Sequence, residues 1–309
     1  MIDTVIPPRL RSGDLIGLVS PSSPPKDDSL IMRGVSALLA EGYKIRLGWS
    51  VGARDGYFAG SDQLRAADMM TMFEDDRVRA IFCTRGGYGA ARLLDQLDYG
   101  FIRKHPKIFV GFSDITALSL ALFAKSGLLT FAGPMVAAEF AAGIRPMTSE
   151  SLWKMLRQRN KTQTLQYCDN SKLLHGGIAE GTLLGGNLAV LCSLIGTGWL
   201  PDLRGAILFL EDVGESIYRI DRMLLQLKQS GILRQLAGVI LGSFTAIPED
   251  TPNRDLAAVT EEYFLPLGVP ILTDIPFGHI PDKITLPIGS RVRIDAERRK
   301  ITVLQHVVS

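Results

Sequence analysis

In KIFVGFSDITALSLALFAKSG an apolar run ends at Gly111, Ser113 stands in the turn, and an apolar-periodic stretch follows. A serine between a strand and a helix has its hydroxyl lifted above the sheet edge. The helix start beyond it offers unpaired N–H groups and a partial positive charge to a developing oxyanion. That is the layout of a nucleophile elbow, except that Ile115 occupies the place of the second glycine in G-x-S-x-G. The same serine would equally serve as an N-cap, a position serine favours. In GAILFLEDVGES, Glu211 and Asp212 follow an apolar run, at the carboxyl edge where α/β proteins assemble sites. A carboxylate there can orient a histidine or cap the next helix.

His279, in PFGHIPDKITLPIG, has the most constrained surroundings of the four histidines: Gly278 precedes it, Pro281 follows, and a strand is expected on either side. His105 lies in a polar KHPK loop, His175 in a presumed linker and His306 near the terminus. A loop imidazole is otherwise simply solvated. In AIFCTRGGYGAARLL, Gly86, Gly87 and Gly89 allow close approach of backbone to a ligand and can expose N–H groups as an anion nest. The pattern is neither G-x-G-x-x-G nor a P-loop, and a plain tight strand-to-helix turn is the competing reading. The chain order serine, glutamate, histidine fits one mechanism, in which a nucleophile, an orienting carboxylate and a base are defined by spatial roles.

These side chains need a scaffold. Apolar runs at 15–20, 44–48, 78–84, 108–111 and 129–132 alternate with amphipathic stretches at 29–41, 62–73, 90–96 and 114–126. Continuous apolar strands separated by helices predict a doubly wound parallel sheet covered on both faces. A helix is expected over 148–160, and the polar stretch that follows reads as a linker. We therefore expect an N-terminal α/β domain over 1–160, a linker over 161–176 and a second α/β domain, rich in β-structure, over 177–309. The second half should contain strands at 205–210, 238–241 and 270–274 and helices at 187–195, 218–229 and 254–264. A terminal hairpin should turn at 296–299.

With 309 residues, 46% hydrophobic and 21% charged, the chain has the composition of a globular protein with a large core. Net charge is +2, with acidic and basic residues interspersed, so no nucleic-acid or membrane-surface partner is expected. The most apolar stretch, 115–142, is broken by Lys125, Gly127, Gly133 and Pro134, too interrupted for a membrane span. Cys83, Cys168 and Cys192 are far apart and odd in number, which predicts buried thiols in a reducing compartment rather than disulfides. The opening residues lack the features of a signal peptide, and a cytoplasmic location is expected. No His, Cys, Asp and Glu set has ligand spacing, and no metal or other cofactor is expected.

The segments GDLIGLVSPSSP, YFAGSDQLRAADM, CTRGGYGAARLLDQLD, VGFSDITAL, LFLEDVGESIYRIDRML and FGHIPDKITLPIG together resemble the LD-carboxypeptidase family of serine peptidases, the muramoyltetrapeptide carboxypeptidases. They span nearly the whole chain. The resemblance implies Ser113 as nucleophile, Glu211 as triad carboxylate and His279 as base. It also implies an oxyanion hole of backbone N–H groups near Gly87 and Asp114, a site between the two domains, and a homodimer. The implied reaction removes the terminal D-alanine from murein tetrapeptides during cell-wall recycling, without a metal. A related branch cleaves peptidyl-nucleotides of the microcin C type; it carries extra sequence between serine and glutamate that this chain does not show.

A carboxypeptidase must also hold a free terminal carboxylate, which is costly to bury unpaired. Arg85, beside Gly86 in the glycine turn, is the candidate by position. Two rivals from other classes remain on residue pattern alone. A lipase-like α/β-hydrolase would share the order of the three residues but would call for the second elbow glycine and one domain. A non-catalytic two-domain binding protein would use the glycine turns but would have no reason to supply all three triad partners.

Overall fold

The computed structural model describes residues 3–167, 170–249 and 254–309. The first half supplies β1 (Leu15–Val19), β2 (Lys44–Leu47), β3 (Val78–Cys83), β4 (Ile108–Val110) and β5 (Thr130–Ala132). The second supplies β6 (Gln163–Thr164), β7 (Lys172–His175), β8 (Ile178–Asn187), β9 (Ile207–Val213), β10 (Gly238–Thr245), β11 (Ile271–Thr273), β12 (Leu286–Ile288), β13 (Arg291–Asp295) and β14 (Lys300–Val303). The α-helices are α1 (Ser29–Ala40), α2 (Asp62–Glu74), α3 (Tyr99–Lys104), α4 (Thr116–Ser126), α5 (Pro146–Arg157), α6 (Leu188–Ser193), α7 (Ile217–Gln229) and α8 (Leu256–Phe264).

Two sheets result, one of six strands in the order β12-β5-β4-β3-β1-β2 and one of eight in the order β6-β14-β13-β8-β9-β10-β11-β7. The first is parallel from β5 to β2, as continuous apolar strands joined by helices require. The second is parallel across β8, β9, β10 and β11 and antiparallel at its flanks. The expected α/β class, with a β-rich second half, is the observed one.

The helices bury the faces that their spacing dictates. In α7 the buried residues Ile217, Ile220, Leu224 and Leu227 recur every three or four positions, forming one stripe. In α4, by contrast, every residue from Thr116 to Leu122 is buried. The reason is position: α4 packs on β5 and β12 of the first sheet and on β8 and α6 of the second half. The helix that follows Ser113 is thus the wedge between the two halves.

Several elements depart from the sequence reading. Residues 90–96 form a 3₁₀ helix rather than an α-helix; its cap is Gly89, which has no side chain to hold the first N–H groups. The helix expected from 114 begins as a 3₁₀ turn, Ser113–Ile115, and becomes α-helical at Thr116. Strand β9 does not stop at Leu210 but continues to Val213, because Asp212 and Val213 pair with Phe244 and Thr245 beyond a register shift. Within the polar stretch 161–176 lie β6 and β7, edge strands that find partners in β14 and β11. The longest strand, β8, was not anticipated; its Gly181, Gly185 and Gly186 weaken the local strand pattern. Most consequential is β12, which leaves the second half and pairs antiparallel with β5 of the first sheet. Cys168 lies outside the described residues.

Candidate active site

Ser113 follows β4 after two residues and adopts φ +65°. A non-glycine residue in the left-handed region is strained by about 1–3 kcal/mol, and it persists only where its surroundings dictate it. Here they do. A Cβ placed on Gly86 would stand 2.9 Å from Ser113 Cβ, 3.0 Å from its Oγ and 3.4 Å from the Asp114 nitrogen. The glycine turn therefore abuts the serine turn with no room for a side chain between them. On the other side, Thr116 Oγ1 accepts a hydrogen bond from the Asn187 N–H at 3.1 Å, tying the start of α4 to the end of β8.

His279 Nε2 stands 3.0 Å from Ser113 Oγ, and its Nδ1 stands 2.7 Å from Glu211 Oε2. A carboxylate only accepts, so Nδ1 carries the proton and Nε2 presents its lone pair to the serine hydroxyl. Glu211 lies within β9, is 3% exposed, and pairs across the sheet with Asn187 of β8. Asn187 Nδ2 donates to Glu211 Oε1 at 3.3 Å and to Asp212 Oδ1 at 2.8 Å. Burial pushes the Asp212 carboxyl up from its ordinary value; hydrogen bonds from the Val213 N–H, Asn187 and the Ala189 N–H pull the other way. The imidazole also packs against the Phe112 ring, with centroids 4.9 Å apart. The ammonium of buried Lys283 sits over that ring at 3.9 Å and pairs with Glu139 at 2.6 Å.

The loops on the serine's other flank are fixed by buried polar groups. Asp114, 5% exposed, accepts from Ser22 Oγ at 2.5 Å and from the Ala90 N–H at 2.8 Å, both on Oδ2. Burial raises the Asp114 carboxyl from its ordinary value, against those two hydrogen bonds and the nearby Arg65. Fully buried Arg65 donates to the carbonyls of Pro21 and Gly89 and pairs with Asp62, clamping the loop after β1 to the glycine turn. A Cβ on Gly87, at φ +117°, would stand 2.5 Å from Ser23 Oγ, so that position too needs glycine. Arg85 is half-buried and its guanidinium donates to the Pro24 carbonyl at 2.7 Å.

The sequence model of the LD-carboxypeptidase N-terminal domain matches residues 16–133, and that of the C-terminal domain matches residues 180–294. The chain belongs to the LD-carboxypeptidase family of serine peptidases. Among curated relatives, a probable murein peptide carboxypeptidase of Bacillus subtilis (strain 168) is 37% identical over 300 residues, 96% of this chain and 93% of the relative. The microcin C7 self-immunity protein MccF of Escherichia coli is 30% identical, over 97% of this chain and 96% of its own. A crystal structure of muramoyltetrapeptide carboxypeptidase from Oxalobacter formigenes matches with a TM-score of 0.82 at 33% identity, over 94% of this chain and 97% of that one.

Within this member of the family, the sequence reading brought Ser113, Glu211 and His279 forward, and the fold places them in hydrogen-bond contact. The fold also sets Gly86, which the sequence offered only as part of a ligand-approaching glycine turn, against Ser113. The sequence reading missed Asn187, Lys283, Glu139 and Ser22. Asn187 had a signal: it ends a Gly-Gly-Asn run before a helix, and its side chain caps that helix by accepting from Val190 N–H. Cys83 and Cys192 are buried; burial pushes the Cys83 thiol well up and that of Cys192 up to about 12, so neither is a nucleophile. Among the described residues no cluster of His, Cys, Asp and Glu could hold a metal ion, and no helix is long and apolar enough to cross a membrane.

Proposed function

We propose that this protein is a serine LD-carboxypeptidase that removes the terminal D-alanine from murein tetrapeptides, with Ser113 as nucleophile, His279 as base and Glu211 as orienting carboxylate. The observation that carries the reading is the hydrogen-bonded chain Ser113–His279–Glu211, built on a serine held in the left-handed conformation. As Ser113 Oγ attacks the carbonyl between the diamino acid and D-alanine, His279 Nε2 takes its proton. Glu211 holds the tautomer and stabilises the imidazolium. The backbone N–H groups of Gly87 and Asp114 would receive the oxyanion, each such donor being worth roughly 3–4 kcal/mol. The imidazolium then gives its proton to the departing amine of D-alanine. Water, deprotonated by the same imidazole, hydrolyses the acyl-enzyme.

The substrate follows from the relatives named for murein peptides. The relationship to MccF supports a second reading, hydrolysis of a peptidyl-nucleotide by the same triad. The family resemblance also supports a homodimer, which light scattering would test, and a cytoplasmic setting. Incubation with murein tetrapeptide and with a peptidyl-nucleotide, with products identified by mass, separates the readings. Ser113→Ala should remain folded and lose at least about 10³-fold in kcat on the true substrate. Wild-type turnover by that folded variant would remove the nucleophile assignment.

A further inference from the structure

Cleavage of a C-terminal residue leaves one chemical requirement that the triad does not meet. The leaving amino acid carries a carboxylate, and removing it from water without a partner is costly. An arginine beside the reacting atoms is the fitting partner, because its planar fork matches a carboxylate with two parallel hydrogen bonds.

The cations near the site can be taken in turn. Arg65 is committed to Pro21 O, Gly89 O and Asp62, with no exposed surface. Arg85 donates to Pro24 O at 2.7 Å. Lys283 is 3% exposed and occupied by Glu139 and the Phe112 ring. Arg145 differs from all three. It is exposed, and it lines a cleft of about 460 Å³ whose wall also contains His279. Among the described residues its guanidinium has no hydrogen-bond or ion-pair partner.

The cleft around it suits a small amino acid. Ala138, Ala142, Ile144, Ile280 and Pro281 give it apolar walls, against which a methyl side chain can pack. Its acidic residue is Glu139, whose charge is compensated by Lys283 at 2.6 Å. Arg145 is therefore the uncompensated charge of the cleft. Its backbone is also fixed: it caps α5 with Pro146 at the first helical position, and its carbonyl accepts from the Ser149 N–H at 2.9 Å. A cation on a fixed backbone, in a cleft whose wall His279 shares, loses less freedom on binding than one on a loose loop.

We propose that Arg145 binds the C-terminal carboxylate of the substrate, making it the residue that selects a free chain end. The assignment rests on the carboxypeptidase reading above. The test compares a murein tetrapeptide with the same peptide bearing a C-terminal amide, cleaved by wild type, Arg145→Met and Arg145→Lys. Wild type should favour the acid. Arg145→Met should raise KM for the acid by about 10- to 100-fold, the scale of a charge-assisted hydrogen bond, with kcat within a few-fold and the amide unaffected. Arg145→Lys keeps the charge without the fork and should fall between. Thermal melting shows whether both variants fold; the lysine variant alone, with a KM for the acid equal to wild type, would also count against the fork. Acid preference retained by Arg145→Met, or equal losses on acid and amide, overturns the assignment alone. A wild type that cleaves neither peptide overturns the proposed function and this assignment with it.

Discussion

Replacing Gly278 by alanine tests the geometry of the proposed base without altering any member of the proposed triad. Gly278 has φ +106°, a conformation that side chains rarely adopt, so the methyl costs about 1–3 kcal/mol in backbone strain alone. The new Cβ would stand 2.8 Å from Glu211 Oε2 and 2.9 Å from Glu211 Cβ. Rotating the carboxylate away does not relieve the second contact, because Glu211 Cβ is fixed to the β9 backbone. Roughly half an ångström of separation has to be found by moving the 278–279 backbone, and Oε2 is the atom that holds His279 Nδ1 at 2.7 Å. A displacement of about an ångström in a catalytic group costs around 10²-fold, and loss of the orienting carboxylate costs about 10⁴-fold. We therefore expect kcat for the tetrapeptide to fall by about 10²- to 10⁴-fold. KM should change less than kcat, since Arg145 and the 138–144 wall of the cleft do not contact Gly278, although His279 on its other wall shifts. Steady-state kinetics on Gly278→Ala, with circular dichroism to establish folding, provides the measurement. A folded variant with kcat within tenfold of wild type would refute the claim that Glu211 positions His279 through this contact.

Two further substitutions probe buried charge. Lys283→Met leaves the part-buried Glu139 carboxylate without its 2.6 Å partner, and because that carboxylate opens onto the Arg145 cleft the destabilisation should be about 1–3 kcal/mol in chemical denaturation, with much of it recovered in Glu139→Gln/Lys283→Met; equal stability of single and double variants would refute this. Asp114→Asn can keep both hydrogen bonds on one amide oxygen while removing a buried charge. Burial raises the folded carboxyl above its ordinary 3.8, so folding binds a proton and wild-type stability falls as pH rises from that value through the raised one. Asp114→Asn should therefore melt at or above wild type at pH 7, with the advantage vanishing below pH ~4; a lower melting temperature at pH 7 would refute the assignment of cost.

The sequence exposed those features whose chemistry is carried by neighbours along the chain. Ser113 stood out because an apolar run, a glycine and a helix pattern surround it within one turn, and Glu211 because it directly follows a run of unmistakable apolarity. Partnerships made only by folding were invisible. Glu139 and Lys283 are 144 residues apart, and nothing local marks either as half of an ion pair. Strand β12 is three residues long, too short for a period, and its place in the first sheet is decided by β5. Arg85 was singled out only by its adjacency to a glycine turn, and that adjacency gave no sign of the bond its guanidinium donates to the Pro24 carbonyl. Arg145 carried no local signal, since only the fold brings the 138–145 wall beside His279.

Why the proposed catalytic trio spans two halves becomes clear from what the strained serine needs. A non-glycine turn at φ +65° persists only where its surroundings over-determine it, and here contacts from both halves do so. The first half supplies one side, the glycine turn fastened by Arg65 and Asp114. The second half supplies the other through Asn187, whose backbone N–H fixes Thr116 and whose side chain fixes Glu211. Strand β12 returns to the first sheet just after the His279 loop, so that the base is anchored in the second half on one end and in the first on the other. The same contacts that keep Ser113 in its strained conformation therefore also set the distance from its hydroxyl to the imidazole. Strain at Ser113 and the position of His279 are thereby coupled through shared contacts.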